Sequence, residues 1–188
     1  MVTVFNWRAH YAAHVIRQGG LIAHPTEAVW GLACDPFSEI AVQRLLDLKG
    51  RPREKGLILI SSDPAHFASL LAPLPLALQE RFHAPQTRPT TWIVPDIRQQ
   101  IPQWLRGQHQ GVAVRVSQHP TVQAITTRFR GPVVSTSANP AGRPPAMTLA
   151  DIRYYFSGRI DYIVDGRLGG ANRPSQIIDL QSGQVLRD

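Results

Sequence analysis

The sequence predicts an α/β fold: a single domain over residues 1–188 in which helices pack on one twisted, open, mixed sheet. Three observations carry this. Short apolar runs, such as Leu57-Ile58-Leu59-Ile60, alternate with longer segments whose apolar residues recur at helical spacing, and interleaved strands and helices make helix-covered sheets. Hydrophobic residues make up 43% of the 188, enough for a core in one domain. No internal repeat, low-complexity stretch or linker divides the chain.

Residues 8–18 read as a helix that Gly19 and Gly20 stop. Leu21–His24 is a short strand running into Pro25, and 26–37 a long turn-rich loop. Ser38 is placed to cap a helix over 39–49 whose apolar set is Ile40, Val42, Leu45, Leu46 and Leu48, ended by Gly50 and Pro52. The unbroken run Leu57–Ile60 marks a strand buried on both faces. A proline-punctuated helical stretch follows over 64–83, then strands at Thr90–Val94 and Val112–Val116. His119–Arg130 fits a helix and Pro132–Thr136 a further strand; Thr148 can cap a helix over 149–156. Strands at Tyr162–Val164, Gln176–Leu180 and Gln184–Leu186 close the chain, the last two joined by a turn at Gln181-Ser182-Gly183.

The formal charge is +7, and arginine supplies it: lysine occurs only at Lys49 and Lys55. The planar guanidinium fork suits phosphate and carboxylate, so a nucleotide or RNA partner is a sharper reading of the charge than solubility alone. One cysteine, Cys34, excludes an internal disulfide and a zinc site of two or four cysteines. No apolar run approaches the roughly 18 residues of a membrane span, and the first residues lack the charged-then-apolar pattern of a secretory signal. The expectation is a cytoplasmic protein with no membrane partner.

Polar clusters stand at the ends of the expected strands, where open α/β sheets place ligands. His24-Pro25-Thr26-Glu27-Ala28-Val29-Trp30-Gly31 follows the first strand and could equally be a plain turn. Lys49-Gly50-Arg51 ends a helix, where the dipole alone favours cations. The break at Gly50 and Pro52 would also splay both charges towards one point, as a triphosphate needs. Ser135-Thr136-Ser137-Ala138-Asn139 follows an apolar run and offers hydroxyls and a carboxamide. Arg115 interrupts an apolar strand. Either it faces water from an edge, or it has a carboxylate or phosphate partner.

Neither the G-x-x-x-x-G-K-[ST] loop nor the G-x-G-x-x-G turn is present, so a bound ATP would be held mainly by side chains. His10 and His14, one turn apart, have no third ligand nearby and read as a solvated helix face. Cys34 reads as packing.

Taken in order, HPTEAVWGLACDP at 24–36, LKGRPREKGLILI at 48–60, PQWLRG at 102–107, VAVRVSQHP at 112–120, GPVVSTSANPAGRPP at 131–145 and PSQIIDLQSGQVLR at 174–187 resemble the YrdC family. The likeness is to its short bacterial threonylcarbamoyl-AMP-forming members. The resemblance implies a YrdC-like twisted sheet with a basic concave face. It implies an enzyme, a nucleotidyltransferase that joins L-threonine, bicarbonate and ATP, with Mg²⁺, into threonylcarbamoyl-AMP and pyrophosphate. Its partners would be tRNA and the proteins that transfer the threonylcarbamoyl group to adenosine. The family's K-x-R and S-x-N signature falls on Lys49, Arg51, Ser137 and Asn139 at the ATP phosphates, with Lys49 and Arg51 catalytic. Arg187 would lie near the nucleotide, and Thr26, Arg115, Ser135 and Ser175 would face the threonine. No metal-ligating side chain is implied. The chain departs from the family at 86–91, where Gln86-Thr87-Arg88-Pro89-Thr90-Thr91 replaces W-P-G-P-x-T, and at Arg173 and Ile178; Ile60 stands, as in other short members, where longer relatives carry a histidine.

The rival reading is a non-catalytic RNA-binding module on ribosomal or transfer RNA; RRM and KH signatures are lacking. A second rival, the carbamoyl-transfer domain of hydrogenase-maturation proteins, sits in long chains with zinc-finger modules, unlike this one-cysteine chain. Any RNA binding is expected to be electrostatic, so log affinity falls steeply with log salt and is alike for unrelated sequences. Filter binding over a salt series checks this, and a salt-independent, sequence-selective complex contradicts it.

Overall fold

The computed structural model describes residues 2–188. In chain order these form α1 (Val2–Arg17), β1 (Ile22–Pro25), β2 (Trp30–Ala33), α2 (Glu39–Lys49), β3 (Ile58–Ser61), α3 (Ala68–Leu71), α4 (Leu76–His83), β4 (Thr90–Pro95) and α5 (Gln103–Arg106). The second half holds β5 (Gly111–Val116), α6 (Pro120–Phe129), β6 (Val133–Ser137), α7 (Leu149–Phe156), β7 (Tyr162–Ile163), β8 (Gln176–Asp179) and β9 (Val185–Arg187). The strands make one sheet in the order β7-β1-β2-β6-β3-β5-β4-β8-β9. β1/β7, β3/β5 and β4/β8 run parallel and the other neighbours antiparallel, which gives the mixed sheet expected.

Local chemistry fixes the boundaries. Ser38 caps α2 by accepting from the Ala41 amide, and Gly50 ends it in the left-handed region at φ 60°, donating to Leu46 and Asp47 carbonyls. Thr148 and Asp151 form a reciprocal capping box on α7. Two expectations are corrected, and one element was not foreseen. Residues 26–37 are not all loop: Trp30–Ala33 is a fully buried strand between β1 and β6, and Gly31 broke the apolar signal. The helical stretch 64–83 divides, because Pro75 cannot continue a helix and instead stands at the N-terminal boundary of α4. α5 is a single turn between Pro102 and Gly107, too short for periodicity to reveal. α1 also begins earlier than residue 8, and β7 is only two residues long.

The strand period of two sorts the side chains onto two faces. Val134, Leu59, Val114, Trp92 and Ile178 stand side by side across β6, β3, β5, β4 and β8. They pack, with Ala23 and Leu32, against Val42, Leu45 and Leu46 of α2, Phe67, Leu70, Leu71, Phe82, Leu105, Ile152 and Phe156. On the other face Ile22, Ala33, Ile60 and Val133 meet Ala12 and Ile16 of α1 and Val122 and Ile125 of α6. The rest of that second face carries Arg115, Thr91, Ile58, Ala113, Ile93, Ser135, Ser137 and Gly31 and lines open clefts.

Adjacent residues of β3 should therefore respond differently. Leu59→Ala removes a side chain 1% exposed and is expected to cost about 2–5 kcal/mol of stability. Ile58→Ala, on the open face, should cost much less and weaken ligand binding instead. Urea midpoints for the two variants check this.

Candidate functional site

Thr26, Arg51, Arg115, Ser135, Ser137, Ser175 and Arg187 line one cleft of about 240 Å³, floored by Gly31 and walled by Pro145 and Pro174. A second, more apolar cleft of about 320 Å³ lies beside it, formed by Leu57, Ile58, Ile93, Leu105, Ala113, Ile177 and Leu186. Arg51 and Arg187 line both clefts and stand at their junction. The residues expected around the amino acid, together with Arg51, Ser137 and Arg187 of those expected around the nucleotide, thus converge from five segments of the chain.

Each segment is held by its own bonds. Thr26 closes a turn, its amide and its hydroxyl (2.7 Å) both donating to the Val29 carbonyl. Ser175 pairs with the buried Thr91 hydroxyl at 2.8 Å, and Arg187 donates to the Ser175 carbonyl at 2.7 Å. Arg51 turns its guanidinium onto the Gly56 carbonyl at 2.9 Å. The segment after β6 is stitched to β2, with Ala138 N donating to Trp30 O and Trp30 N to Ala146 O.

Lys49 has a different place from the one its spacing suggested. It does not converge with Arg51 on one open point. It continues the buried stripe of Val42, Leu45 and Leu46 and is 5% exposed. Its ammonium donates to the Ser137 carbonyl, to the Asn139 carbonyl at 2.7 Å and to Asn139 Oδ1 at 3.4 Å. The Lys49 carbonyl in turn accepts from Ala141 N at 2.7 Å. Lys49 therefore pins the Ser137–Asn139 turn from both ends, while Gly50 reverses the chain and sends Arg51 outward. Asn139 stands with it behind the cleft, accepting from Ser137 Oγ at 2.7 Å and donating to the Arg143 carbonyl at 2.6 Å. Burial, and then the charge of Arg51, pull the Lys49 ammonium down to about 8.

Arg115 is not on an edge: β5 runs between β3 and β4. Its partner is Glu27, NH2 to Oε2 at 2.5 Å, and Ser117 Oγ donates to the other carboxylate oxygen at 2.7 Å. Burial raises the Glu27 carboxyl, but the Arg115 charge and the Ser117 hydrogen bond together outweigh it and leave the group below its ordinary range. Glu27 and Ser117 were missed in the sequence. The available signal was that Glu27 is the one acidic residue of the 24–31 cluster and that Arg115 needed a carboxylate. Burial, and then the charge of Arg115, lower the Arg187 guanidinium; Arg51, Arg115 and Arg187 form a like-charged group that an anion would satisfy.

His24, cross-strand from Gly31, is also buried. Its Nδ1 faces the Pro25 carbonyl at 3.1 Å and must carry the proton, which leaves Nε2 a bare acceptor without a partner. Burial lowers its pKa to about 4, so it is neutral. His10 and His14 are exposed along α1, and Cys34 is buried, its thiol pushed up by that burial. Among the described residues no cluster of three or more His, Cys, Asp or Glu could hold a metal ion.

A family model named for Sua5, YciO and YrdC and described as telomere recombination matches residues 14–188. The threonylcarbamoyl-AMP synthase of Marinobacter nauticus is 49% identical over 176 residues, covering 94% of this chain and 93% of its own. That of Pseudomonas aeruginosa strain UCBPP-PA14 is 49% identical over 184 residues, 98% of each chain. Among solved structures, P. abyssi Sua5 complexed with L-threonine superposes with a TM-score of 0.84 at 28% identity. The match takes in 96% of this chain, which spans about half of that longer one, 53%. E. coli YciO shares the fold, with a TM-score of 0.77 at 22% identity over 97% of this chain and 89% of its own.

Burial of Lys49 has a consequence for stability against pH. Between about pH 8 and its ordinary 10.5, the unfolded chain holds a proton on Lys49 that the folded chain has released. The contribution of this group to unfolding free energy therefore rises with pH through that window. Urea unfolding at both ends of the window should show the rise, and Lys49→Met should abolish it. Arg51→Ala, which removes the lesser of the two causes, should reduce the rise without abolishing it.

Proposed function

This chain belongs to the Sua5, YciO and YrdC family, and from that footing we infer that it is a threonylcarbamoyl-AMP synthase, making threonylcarbamoyl-adenylate and pyrophosphate from L-threonine, bicarbonate and ATP. The observation that carries the assignment of parts is the position of Arg51 and Arg187 between a polar and an apolar cleft. In this reading threonine occupies the polar cleft, with its carboxylate at Arg115. The base of ATP occupies the apolar one, and the α-phosphate lies at the two arginines between them.

The chemistry needs little more than this placement. The threonine amine adds to bicarbonate, losing water, and gives a carbamate. A carbamate oxygen then bonds to the α-phosphorus as the bond to the β-phosphate oxygen breaks and pyrophosphate leaves. No protein nucleophile takes part. Negative charge that builds on the phosphate oxygens meets cations already fixed in place, and fixed charges need no reorganisation as the barrier is crossed. Holding amine, bicarbonate and α-phosphate in one cleft supplies the rest, and a half-closed site protects a labile carbamate from water. Lys49 serves by shaping the Ser137–Asn139 turn that carries these contacts. In this reading Mg²⁺ enters with ATP as the counter-ion of the triphosphate and is part of the substrate.

The product is an activated acyl group. We assign its onward transfer to partner proteins that modify tRNA, in the cytoplasm; the family footing supports this, and no helix among the described residues is long and apolar enough to cross a membrane.

Pyrophosphate release that requires threonine, bicarbonate and ATP together, with threonylcarbamoyl-AMP identified by mass spectrometry, tests the assignment. An RNA-binding module releases none. Arg51→Ala is expected to slow turnover roughly ten- to hundredfold through loss of a charge-assisted contact. Thr26, Ser135 and Ser175 line the threonine cleft. The Thr26 and Ser175 hydroxyls already bond Val29 and Thr91, so valine, which leaves the Ser135 hydroxyl and the remaining lone pairs of the other two unmatched, should be rejected by up to about 10⁴. Serine, which loses only a methyl contact, should fall between the two. Valine turning over as well as threonine would mean that the pocket is read by shape alone.

A further inference from the structure

We propose that Glu27 is a positioning residue for the amino-acid cleft, holding Arg115 in the orientation that receives the substrate carboxylate while standing outside the cleft itself. The inference rests on the reading of that cleft as the threonine site.

An arginine on an open sheet face samples many rotamers, and freezing one on binding costs affinity. Arg115 is already frozen. Its NH2 lies 2.5 Å from Glu27 Oε2, and the two side chains are 11% and 16% exposed. The carboxylate is itself held, because Oε1 accepts from the fully buried Ser117 at 2.7 Å. The backbone of Glu27 is fixed as well. Its carbonyl accepts from Ala171 N at 2.8 Å, and Gly169 packs so closely that a Cβ there would stand 3.0 Å from Glu27 Cα.

The contact is also incomplete in the useful sense. Glu27 engages one guanidinium nitrogen and not a bidentate edge, and Arg115 Nε is buried without a hydrogen-bond partner. A guanidinium has five N–H donors, so the fork retains donors for a second carboxylate. Glu27 does not compete for that place. It lines the neighbouring cleft of about 470 Å³ with Arg88, Thr90 and Gln118, whereas Arg115 lines the amino-acid cleft. The pair is the wall between the two. Glu27 also offsets one positive charge in a site where Arg51, Arg115 and Arg187 would otherwise repel one another. The influence of Arg115 and Ser117 on its carboxyl keeps it ionised at neutral pH.

The test is a double-mutant cycle read on threonine. Glu27→Gln should raise the KM for threonine about tenfold or more, the size of a lost charge-assisted bond, with the KM for ATP and kcat at saturating threonine close to the parent values. Arg115→Met should raise it at least as far. If Glu27 acts through Arg115, adding Glu27→Gln to Arg115→Met should change little, because coupled residues are not additive. An unchanged KM in Glu27→Gln, or an effect that adds in full to that of Arg115→Met, overturns the proposal. A merely structural role would lower the folded fraction and kcat without moving the threonine KM. If Glu27→Gln does not fold, Ser117→Ala, which frees one carboxylate oxygen and leaves the ion pair, should raise the KM several-fold, and no change there overturns it equally. A parent chain that neither binds threonine nor releases pyrophosphate with it removes the reading of the cleft. A parent that does both, with Glu27→Gln indistinguishable from it, removes only the role of Glu27.

Discussion

Alternate residues of a β-strand face opposite sides of its sheet, and in this protein the two sides are covered unequally. One side is buried along β6, β3, β5, β4 and β8 beneath α2, α7 and the helical turns of residues 64–83. The other is covered by α1 and α6 only where Ile22, Ala33, Ile60 and Val133 stand. The uncovered remainder of the second side carries the two clefts proposed for the substrates. A single strand therefore serves both purposes: Val114 packs into the core and Arg115, the next residue, faces the ligand clefts. The precision of the site derives from the core, since each cleft side chain is the immediate neighbour of one locked in packing.

Charge is distributed so that each buried cation has a stated compensation. Removing an ammonium from water is costly unless its protons are all satisfied, and the three oxygens around Lys49 Nζ meet its three donors. A lysine suits this geometry because its donors diverge from a point, where the planar fork of arginine would not fit. Arg115 is compensated by Glu27. Arg51 and Arg187 meet only neutral oxygens, the Gly56 and Lys55 carbonyls and the Ser175 carbonyl and hydroxyl, and in the proposed reading theirs is the charge left for an incoming phosphate. The division between structural and ligand-facing cations follows from which of them already has enough oxygens.

The neutral polar groups obey the same accounting. His119 is buried and uses both ring nitrogens, accepting from Thr121 N and donating to the Arg167 carbonyl. His24 uses one and leaves Nε2 bare beside the cleft floor at Gly31. An unpaired buried acceptor is a cost carried by the fold. Gly31 has no side chain, and a Cβ there would press on Thr26 and His24 at 3.3 and 3.4 Å. That leaves the row from β1 to β6 low enough to form a floor.

The sequence by itself determined the α/β class, the caps of α2 and α7, and most strands, because these are set by periodicity and by local side-chain-to-backbone bonds. It also singled out the segments that build the site, since polar clusters at the ends of apolar strands stand out against the pattern. Tertiary structure alone decided three things. It made Trp30–Ala33 a strand, because its pairing partners lie in β1 and β6 and Gly31 hides the local signal. It turned Lys49 inward, because the direction of the last helical residue depends on which side of α2 faces the core. It joined Arg115 to Glu27, 88 residues away in the chain. The physical reason is common to all three: local pattern fixes what an element is, whereas the partner of a charge or a strand edge is fixed only when distant segments meet.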